Sequence, residues 1–153
     1  MKKALAVMIA LCAATLGFAM DASAKPGPAY AALANIPFGF YAGDQWMPAG
    51  KYRIDLPVTT GTASGSMLRI LSLDGADCQY LLTLRTDGGR TDGYFHVVFN
   101  KYGDTLFLRE VTTDGMGAQA VRSRTEKKLA AGQAHASAAV STVEIVAAPA
   151  RAK

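Results

Sequence analysis

The stretch of sequence that decides the fold is residues 67–85, which read MLRILSLDGADCQYLLTLR. Two apolar runs flank the four residues 74–77, and the first two of those are Asp74-Gly75. An Asp-Gly pair between apolar runs is typical of a β-hairpin, because glycine adopts the positive φ angle that a tight turn requires. The sequence therefore predicts a hairpin built from strands 67–73 and 78–85.

Cys78 begins the second of these strands and alternates in phase with Tyr80, Leu82 and Leu84. Residues two apart in a strand point to the same side of the sheet, so these four side chains are expected to share one face. Their apolar character predicts that this face is buried and that Cys78 acts as a small core residue. A reactive thiol, or one that pairs with a partner, is the alternative interpretation.

The rest of the chain shows the same rhythm of short apolar runs interrupted by Gly, Asp and Pro. Pro37 has no backbone N–H, so a strand through it should be irregular or lie at a sheet edge. Short strands of alternating polarity predict an all-β fold, either a small antiparallel β-sandwich or a partly closed barrel of about seven strands. Besides the central hairpin, strands are expected at 36–41, 52–56, 94–101, 105–113 and 140–147, with loops at 57–66 and 86–93.

One short helix is predicted in the C-terminal half of the chain. Ser123 and Glu126 match a capping box, in which the serine oxygen accepts the Glu126 N–H and the glutamate reaches back to the cap. Gly132 is expected to end this helix after about eight residues. A helix this short needs support from the sheet, and Leu129 is the expected contact.

The N-terminus has the three parts of a cleavable signal peptide, which would comprise residues 1–24. Lys2 and Lys3 supply the positive charge, and residues 4–20 are uncharged and largely apolar. Small residues at 22–24 then suit the pocket of a signal peptidase. We therefore expect a secreted or periplasmic protein that has no stable membrane span after cleavage.

Cleavage is expected between Ala24 and Lys25, and a cut after Ala31 is the alternative. The Pro, Gly and Ala-rich residues that follow are expected to form a flexible leader, and the last residues a frayed tail. One domain lies between them. The predicted ranges are 25–34 for the leader, 35–148 for the domain and 149–153 for the tail.

The predicted mature chain has 129 of the 153 residues. It keeps 14 of the 16 basic residues and 11 of the 12 acidic ones, which leaves a net charge of +3. That charge is too small for the dense basic surface of a nucleic-acid-binding protein. Cys78 is its one cysteine, so an internal disulfide is excluded and the core must stabilise the fold.

Three stretches resemble a group of small secreted bacterial proteins of unassigned function. Their pattern is N-I-P-F followed by P-A-G-x-Y, then Y-G-D, then S-R-x-E with a terminal strand. The resemblance implies export and a β domain with a late helix, and it implies no activity, because none is assigned to the group. The stretches are 34–38 with 47–52, 98–104 with 107–108, and 123–126 with 143–148.

No residue pattern points to a catalytic site, a metal site or a cofactor. His96 and His135 have no adjacent nucleophile, and the sequence contains no Gly-x-Ser-x-Gly motif. His96 is expected at the surface or rim of its strand. An enzyme would need a cleft that brings His96 close to a carboxylate such as Asp92 or Glu110.

Two glycine-containing segments invite a ligand interpretation that their context does not favour. Residues 87–93 lack the alternating acidic ligands of a calcium loop, so they are expected to form a turn-rich connection. Residues 115–120 match the Gly-x-Gly-x-x-Ala dinucleotide fingerprint. The preceding strand belongs to a predicted hairpin, whereas the fingerprint requires a parallel β-α-β unit.

Two groups of residues are candidates for surface binding. Tyr41 and Trp46 flank the first turn and would form an aromatic platform, or else cap the core. The second group is basic and would contact acidic envelope polymers or lipid head groups, or else form a solvated helix face. Its members are Arg122, Arg124, Lys127 and Lys128.

These observations predict an exported, non-enzymatic β module with a binding or structural role at the cell envelope. The alternative is a barrel-type carrier of a small apolar ligand. The two differ in the barrel interior, because a carrier needs a cavity of at least about 300 Å³ there, whereas a structural module fills that space with side chains.

Overall fold

The computed structural model describes residues 30–56, 65–135 and 140–150. Within these ranges it contains ten strands and one helix. The strands are β1 (Tyr30–Ile36), β2 (Phe40–Ala42), β3 (Gln45–Met47), β4 (Gly50–Leu56), β5 (Gly65–Ser72), β6 (Cys78–Thr86), β7 (Phe95–Tyr102), β8 (Thr105–Thr113), β9 (Met116–Ala120) and β10 (Ser141–Pro149). The helix, α1, spans Arg124–His135.

Eight of the strands form a closed antiparallel β-barrel, in the order β1, β4, β5, β6, β9, β8, β7 and β10. The pairing of β8 with β9 closes the circle. Closure leaves no free edge in the barrel wall, so every wall strand has two neighbours for its backbone hydrogen bonds. The predicted all-β class with one helix is confirmed, and the closed barrel is the architecture that the protein adopts.

The interior of the barrel is filled by side chains that alternate along its strands, and Phe40 of β2 packs against them. The ring of Phe40 meets the rings of Phe99 and Tyr52 edge to face, at centroid distances of 5.3 and 5.5 Å. Complete burial of each large apolar side chain contributes about 1.5–3 kcal/mol, so this packing is the main source of stability. Other members of the core are Ile54, Leu68, Ile70, Val97 and Val111.

Strands β2 and β3 form a small hairpin beside the barrel wall. Tyr41 of β2 pairs in parallel with Phe107 of β8, and Gly43 takes a φ of 68° in the hairpin turn. In the same turn, a carboxylate oxygen of Asp44 accepts the backbone N–H of Thr125 at 3.1 Å. This bond attaches the hairpin to the first turn of α1.

Both predicted hairpins are confirmed. Strands β5 and β6 pair over seven residue positions, and Gly75 has a φ of 77° in their turn. Strands β7 and β8 form the second hairpin, with Phe95, Val97 and Phe99 facing the core. The predicted inward side chains of β10, Val143 and Ile145, also pack against that core.

The described residues form ten strands, where about seven were predicted for the chain. The chain leaves β1 at Ile36, directly before Pro37, and β2 and β3 then form separately. Strand β9 was missed, because its glycines were considered only as a nucleotide fingerprint. Gly115 takes a φ of 66° in the β8–β9 turn, so it serves a hairpin here.

The predicted boundary between the flexible leader and the domain is wrong for residues 30–34. These residues belong to β1, which pairs with β4 from Tyr30 to Ile36 and with β10 at Ala32 and Leu33. Ala32 and Ala34 are buried in the core. Their small side chains resemble a linker in composition, yet they fit where neighbouring strands bring bulky residues close together.

The predicted buried face of β6 is also wrong. Cys78 is exposed, and Tyr80, Leu82 and Leu84 are about half exposed, whereas Leu81 and Thr83 are buried. The register with β5 decides this, because Leu68 lies opposite Leu81. A strand that pairs in this register must turn its odd-numbered residues inward.

The helix begins where the capping box predicts, but it is longer than predicted and contacts the barrel through a different residue. It has 12 residues and continues through Gly132. The Glu126 N–H donates to the Ser123 hydroxyl oxygen at 3.1 Å, as predicted, while the Glu126 side chain turns toward the barrel. Leu129, the predicted contact, is 38% exposed, whereas Glu126 is 4% exposed.

The predicted signal peptide, the cleavage site at Ala24 and Lys25, and residues 25–29 lie outside the described residues. So do most of the predicted 57–66 loop and residues 151–153 of the predicted tail. Pro149 still belongs to β10. No helix in the described ranges is long and apolar enough to cross a membrane.

Candidate functional site

The candidate site lies where the segment 87–94 crosses the outer wall of the barrel. This segment leaves β6 and passes over β9, where a Cβ on Gly88 would stand 2.3 Å from the carbonyl oxygen of Met116. A Cβ on Gly117 would stand 2.1 Å from the Thr86 hydroxyl oxygen. Glycine at both positions therefore lets the segment lie directly on the wall, which explains one glycine of the apparent nucleotide fingerprint.

His96, on the outer face of β7, fastens this segment to the wall. Its Nε2 atom lies 2.8 Å from a carboxylate oxygen of Asp92, and its Nδ1 atom lies 2.5 Å from Oε1 of Glu144 on β10. Arg90 donates to both carboxylate oxygens of Glu144, at 2.8 and 3.1 Å. The segment is thus attached to the wall at two points: Arg90 binds Glu144, and Asp92 binds His96.

The hydrogen bonds of this network depend on which ring nitrogens of His96 carry a proton. The Nδ1 atom faces Oε1 of Glu144, which only accepts, and also Nη1 of Arg90 at 2.9 Å, which only donates. Nδ1 therefore donates to Glu144 when it carries the proton and accepts from Arg90 when it does not, while Nε2 donates to Asp92 when it is protonated. Asp92 also accepts the backbone N–H of Tyr94 at 3.1 Å. That backbone bond is the main reason why the pKa of Asp92 lies below its ordinary value; slight burial opposes it and the His96 ring adds to it.

A cleft of about 420 Å³ opens between the segment and the outer faces of β7 and β8. Within it, Glu110 accepts a hydrogen bond from the Thr86 hydroxyl at 2.8 Å. Its walls combine polar side chains such as Thr112 with apolar surface such as that of Val98. The lining residues are Thr86, Asp87, Gly88, Gly89, Arg90, His96, Val98, Glu110 and Thr112.

The approach of His96 to Asp92 meets the condition that was set for an enzyme, but the geometry does not favour catalysis by this ring. A general base must hold a free lone pair within reach of its substrate. Both ring nitrogens of His96 face carboxylates of the protein, and the residue is only 3% exposed. His96 is therefore a positioning residue for the segment, and its predicted place at the surface or rim is wrong.

A second polar cluster lies further along the same outer face of β7. The carboxylate of Glu126 accepts hydrogen bonds from the Asn100 amide at 2.8 Å and from the Tyr102 hydroxyl at 3.1 Å. Burial raises the pKa of Tyr102, and the negative charge of Glu126 raises it further. These bonds hold α1 against the wall. The cluster was missed because the capping box assigned the Glu126 side chain to the helix end.

The two groups of predicted surface-binding residues lie on the described surface. Tyr41 stacks on Phe107 with ring centroids 5.1 Å apart. Trp46 is 52% exposed, and both aromatic residues line a pocket of about 230 Å³. The basic residues are all exposed, on or directly before α1; they are Arg122, Arg124, Lys127 and Lys128.

The comparisons with known proteins assign no function to the site. No family model matches the chain, and neither a curated protein nor a solved structure matches it. Within the described ranges, no group of His, Cys, Asp and Glu residues is arranged to hold a metal ion. The class of the protein is therefore defined by its fold, a closed antiparallel barrel with a covered polar strand face.

Proposed function

We propose that this protein is an exported, non-enzymatic β-barrel module that binds a small polar ligand at the cell envelope. The observation that carries the proposal is the 420 Å³ cleft on the outer wall. One side of that cleft is a segment already fastened by Arg90, Asp92 and His96. A site that is ordered before the ligand arrives loses less conformational entropy on binding.

The lining of the cleft favours a ligand that carries several N–H or O–H donors. Asp87 and Glu110 present carboxylate oxygens, and Thr86 and Thr112 present hydroxyls. The guanidinium of Arg90 is already paired with Glu144. Acceptors therefore outnumber the donors that are free to meet a ligand, which suits an amino sugar or a polyamine better than an anion.

The filled barrel interior supports binding on the outer wall. An eight-stranded closed barrel is also the architecture of carriers for small apolar ligands, so the carrier remains the second candidate. In this barrel, however, Tyr52, Phe99 and Ile54 are at most 1% exposed and occupy the interior. An apolar ligand would have to displace them.

The start of β1 supports cleavage after Ala24. Lys25 as the first residue leaves five residues before Tyr30, and β1 stays whole. A cut after Ala31 would remove Tyr30 and Ala31, which pair with Leu56 and Asp55 of β4. We therefore expect the exported form to begin at Lys25.

Amide chemical shifts measured during titration with small molecules test the ligand site. We expect an amino sugar or spermidine to move the signals of residues 86–90, 96–98 and 110–112. Glu110→Gln should weaken this binding about 10-fold, because a charge-assisted hydrogen bond is lost. Asp77→Asn, in the β5–β6 turn, is the control and should have no effect. A fatty acid that instead moves core signals such as Val97 and Val111 would favour the carrier.

The intact mass of protein from the extracytoplasmic fraction tests export. A mass that starts at Lys25 supports the proposal. Protein found there with residues 1–24 still attached, or found only inside the cell, would overturn it.

A further inference from the structure

The aromatic pocket and the basic helix belong to one surface. In the pocket, Trp46 packs over Gly39, where a Cβ would stand 2.9 Å from the indole ring, and about half of the indole remains exposed. Asp104 and Thr105 add a carboxylate and a hydroxyl to the rim. The pocket is lined by Gly39, Tyr41, Trp46, Asp104, Thr105 and Leu106.

The exposed charge of α1 is positive. The one acidic side chain of its first turn, Glu126, is buried against β7 and does not face the solvent. The carboxylate of Asp44 lies at the N-terminal end of α1, where hydrogen bonds from Thr125 and Ser123 hold its pKa below the ordinary value. The outward side chains of this region are Arg122, Arg124, Lys127 and Lys128.

Hydrogen bonds at Asp44 join these two features. Asp44 and Thr125 are 81 residues apart in the chain, and the Thr125 N–H donates to the Asp44 carboxylate at 3.1 Å. Trp46 is two residues from Asp44, and Arg124 is next to Thr125. At about 3.5 Å per residue, and with the Asp44 side chain and the hydrogen bond included, the Cα atoms of Trp46 and Arg124 lie within roughly 20 Å of each other, the span of a short oligosaccharide.

We propose that this surface binds an acidic polysaccharide. A sugar ring would lie on the exposed face of Trp46, and its hydroxyls would donate to Asp104 and Thr105. Acidic groups on neighbouring sugars would then meet Arg124 and Lys128. The inference relies on the exported location proposed above, but it does not depend on the ligand of the cleft.

The chemistry of the pocket favours a polysaccharide over an anionic membrane. A membrane-binding surface places apolar side chains in the lipid and basic ones at the head groups. Here Trp46 shares its pocket with the carboxylate of Asp104, which anionic head groups would repel. The carboxylate of Asp104 beside the aromatic ring can accept hydrogen bonds from sugar hydroxyls. The basic residues of the helix can pair with acid groups on other sugars of the same polysaccharide.

Binding of hyaluronate, in which acidic sugars alternate with uncharged ones, tests the proposal at low salt, and its methyl ester serves as the uncharged control polymer. We expect hyaluronate to bind at least about 10-fold more tightly than the ester, with a difference that shrinks as salt screens the charges. Trp46→Ala should weaken binding about 5-fold through lost contact area. Arg124→Ala with Lys128→Ala should weaken it by about 5–10-fold at low salt.

Matched variants separate this surface from general attraction. Tyr94→Ala removes another half-exposed aromatic side chain, and Lys51→Ala with Arg85→Ala removes two exposed charges elsewhere. Both should leave binding within about 2-fold of the original protein, and so should Glu110→Gln in the cleft. Trp46→Phe retains a ring and should bind between the original protein and the alanine variant, which separates lost stacking from misfolding.

Three results would overturn the proposal. Equal binding of hyaluronate and its methyl ester would show that charge is not recognised. An equal loss in the Lys51 and Arg85 double variant would show nonspecific attraction to the whole protein. Binding to vesicles of phosphatidylglycerol, without binding to hyaluronate, would assign the surface to a membrane.

Discussion

The outward faces of β6 and β7 combine polarity and exposure in opposite ways. On β6, Tyr80, Leu82 and Leu84 are apolar and between 49% and 58% exposed. On β7, His96 and Asn100 are polar and each only 3% exposed. The difference lies in what covers them, because segment 87–94 and α1 lie over β7, whereas β6 stays open among the described residues.

This contrast shows that burial on a barrel wall does not follow from side-chain polarity alone. A covered polar face is stable when its donors and acceptors pair with one another. The β7 face meets this condition through Asp92 and Glu144 around His96, and through Glu126 beside Asn100. The exposed apolar face of β6 has few side-chain donors and acceptors, so it needs no such pairing.

The largest expected effect separates two neighbouring leucines of β6. Leu81→Ala should lower the free energy of unfolding by about 3–4 kcal/mol, because a buried side chain leaves a cavity. Leu82→Ala should change it by less than about 0.5 kcal/mol, because that side chain is 58% exposed. Urea unfolding of both variants measures the difference. Similar losses for the two would mean that the outer face of β6 is covered.

Glu126→Ala should cost the next largest amount, about 2–3 kcal/mol. The change leaves the Asn100 amide and the Tyr102 hydroxyl buried without their acceptor. Lys127→Ala, at the adjacent exposed position, is the control and should stay within about 0.5 kcal/mol of the original. A loss below about 1 kcal/mol for Glu126→Ala would contradict the buried cluster.

His96→Ala should cost about 1–2 kcal/mol and loosen segment 87–94, because Asp92 and Glu144 lose their shared partner. Trypsin cleaves after arginine, so cleavage after Arg90 should become several times faster. Val146→Ala is the matched control, since Val146 lies directly opposite His96 on β10 and is 58% exposed. Unchanged cleavage in His96→Ala would show that the ring does not hold the segment.

The smallest expected effect is a change in acid stability. The pKa of Asp92 is lowered in the folded protein, first by the Tyr94 N–H and then, against slight burial, by His96. Its stabilising contribution is therefore complete above the unfolded value of about 4 and is lost as the pH falls through the folded pKa. Asp92→Asn should flatten the decline of the melting temperature below about pH 4.

A carboxylate elsewhere in the same segment provides the comparison for that measurement. Asp87→Asn removes a charge at the rim of the cleft and leaves the His96 network in place. The acid decline of this variant should remain as steep as that of the original protein. Identical profiles for the Asp92 and Asp87 variants would argue against a specific role of Asp92.

The strands and turns were largely predictable because they depend on neighbours in the chain. Asp74-Gly75 indicates the central turn, and the alternation of Phe95, Val97 and Phe99 marks the inward face of β7. Ser123 caps the helix as predicted. Each of these features is set by backbone geometry or local hydrogen bonding within a few residues, so a short stretch of sequence contains the necessary information.

The candidate site was predictable only in part: the sequence named His96, Asp92 and Glu110 as residues that a cleft would bring together, but its other contacts depend on the tertiary structure. Glu144 lies 48 residues from His96 and meets it only because β10 pairs with β7. Asp92 is close to His96 in sequence, but the direction of segment 87–94 depends on its passage over β9. Distance along the chain gives no signal for such contacts, and an isolated strand histidine is most often a surface residue.

The sequence by itself determined where the strands turn, where the helix begins and which residues alternate. The tertiary structure alone decided which face of β6 turns inward and how the outer wall of β7 is covered. It also decided that the turn at Asp44 meets the helix at Thr125. The physical reason is that alternation with a period of two defines two faces of a strand equally well. Only the partners that pair with the strand and cover it can distinguish them.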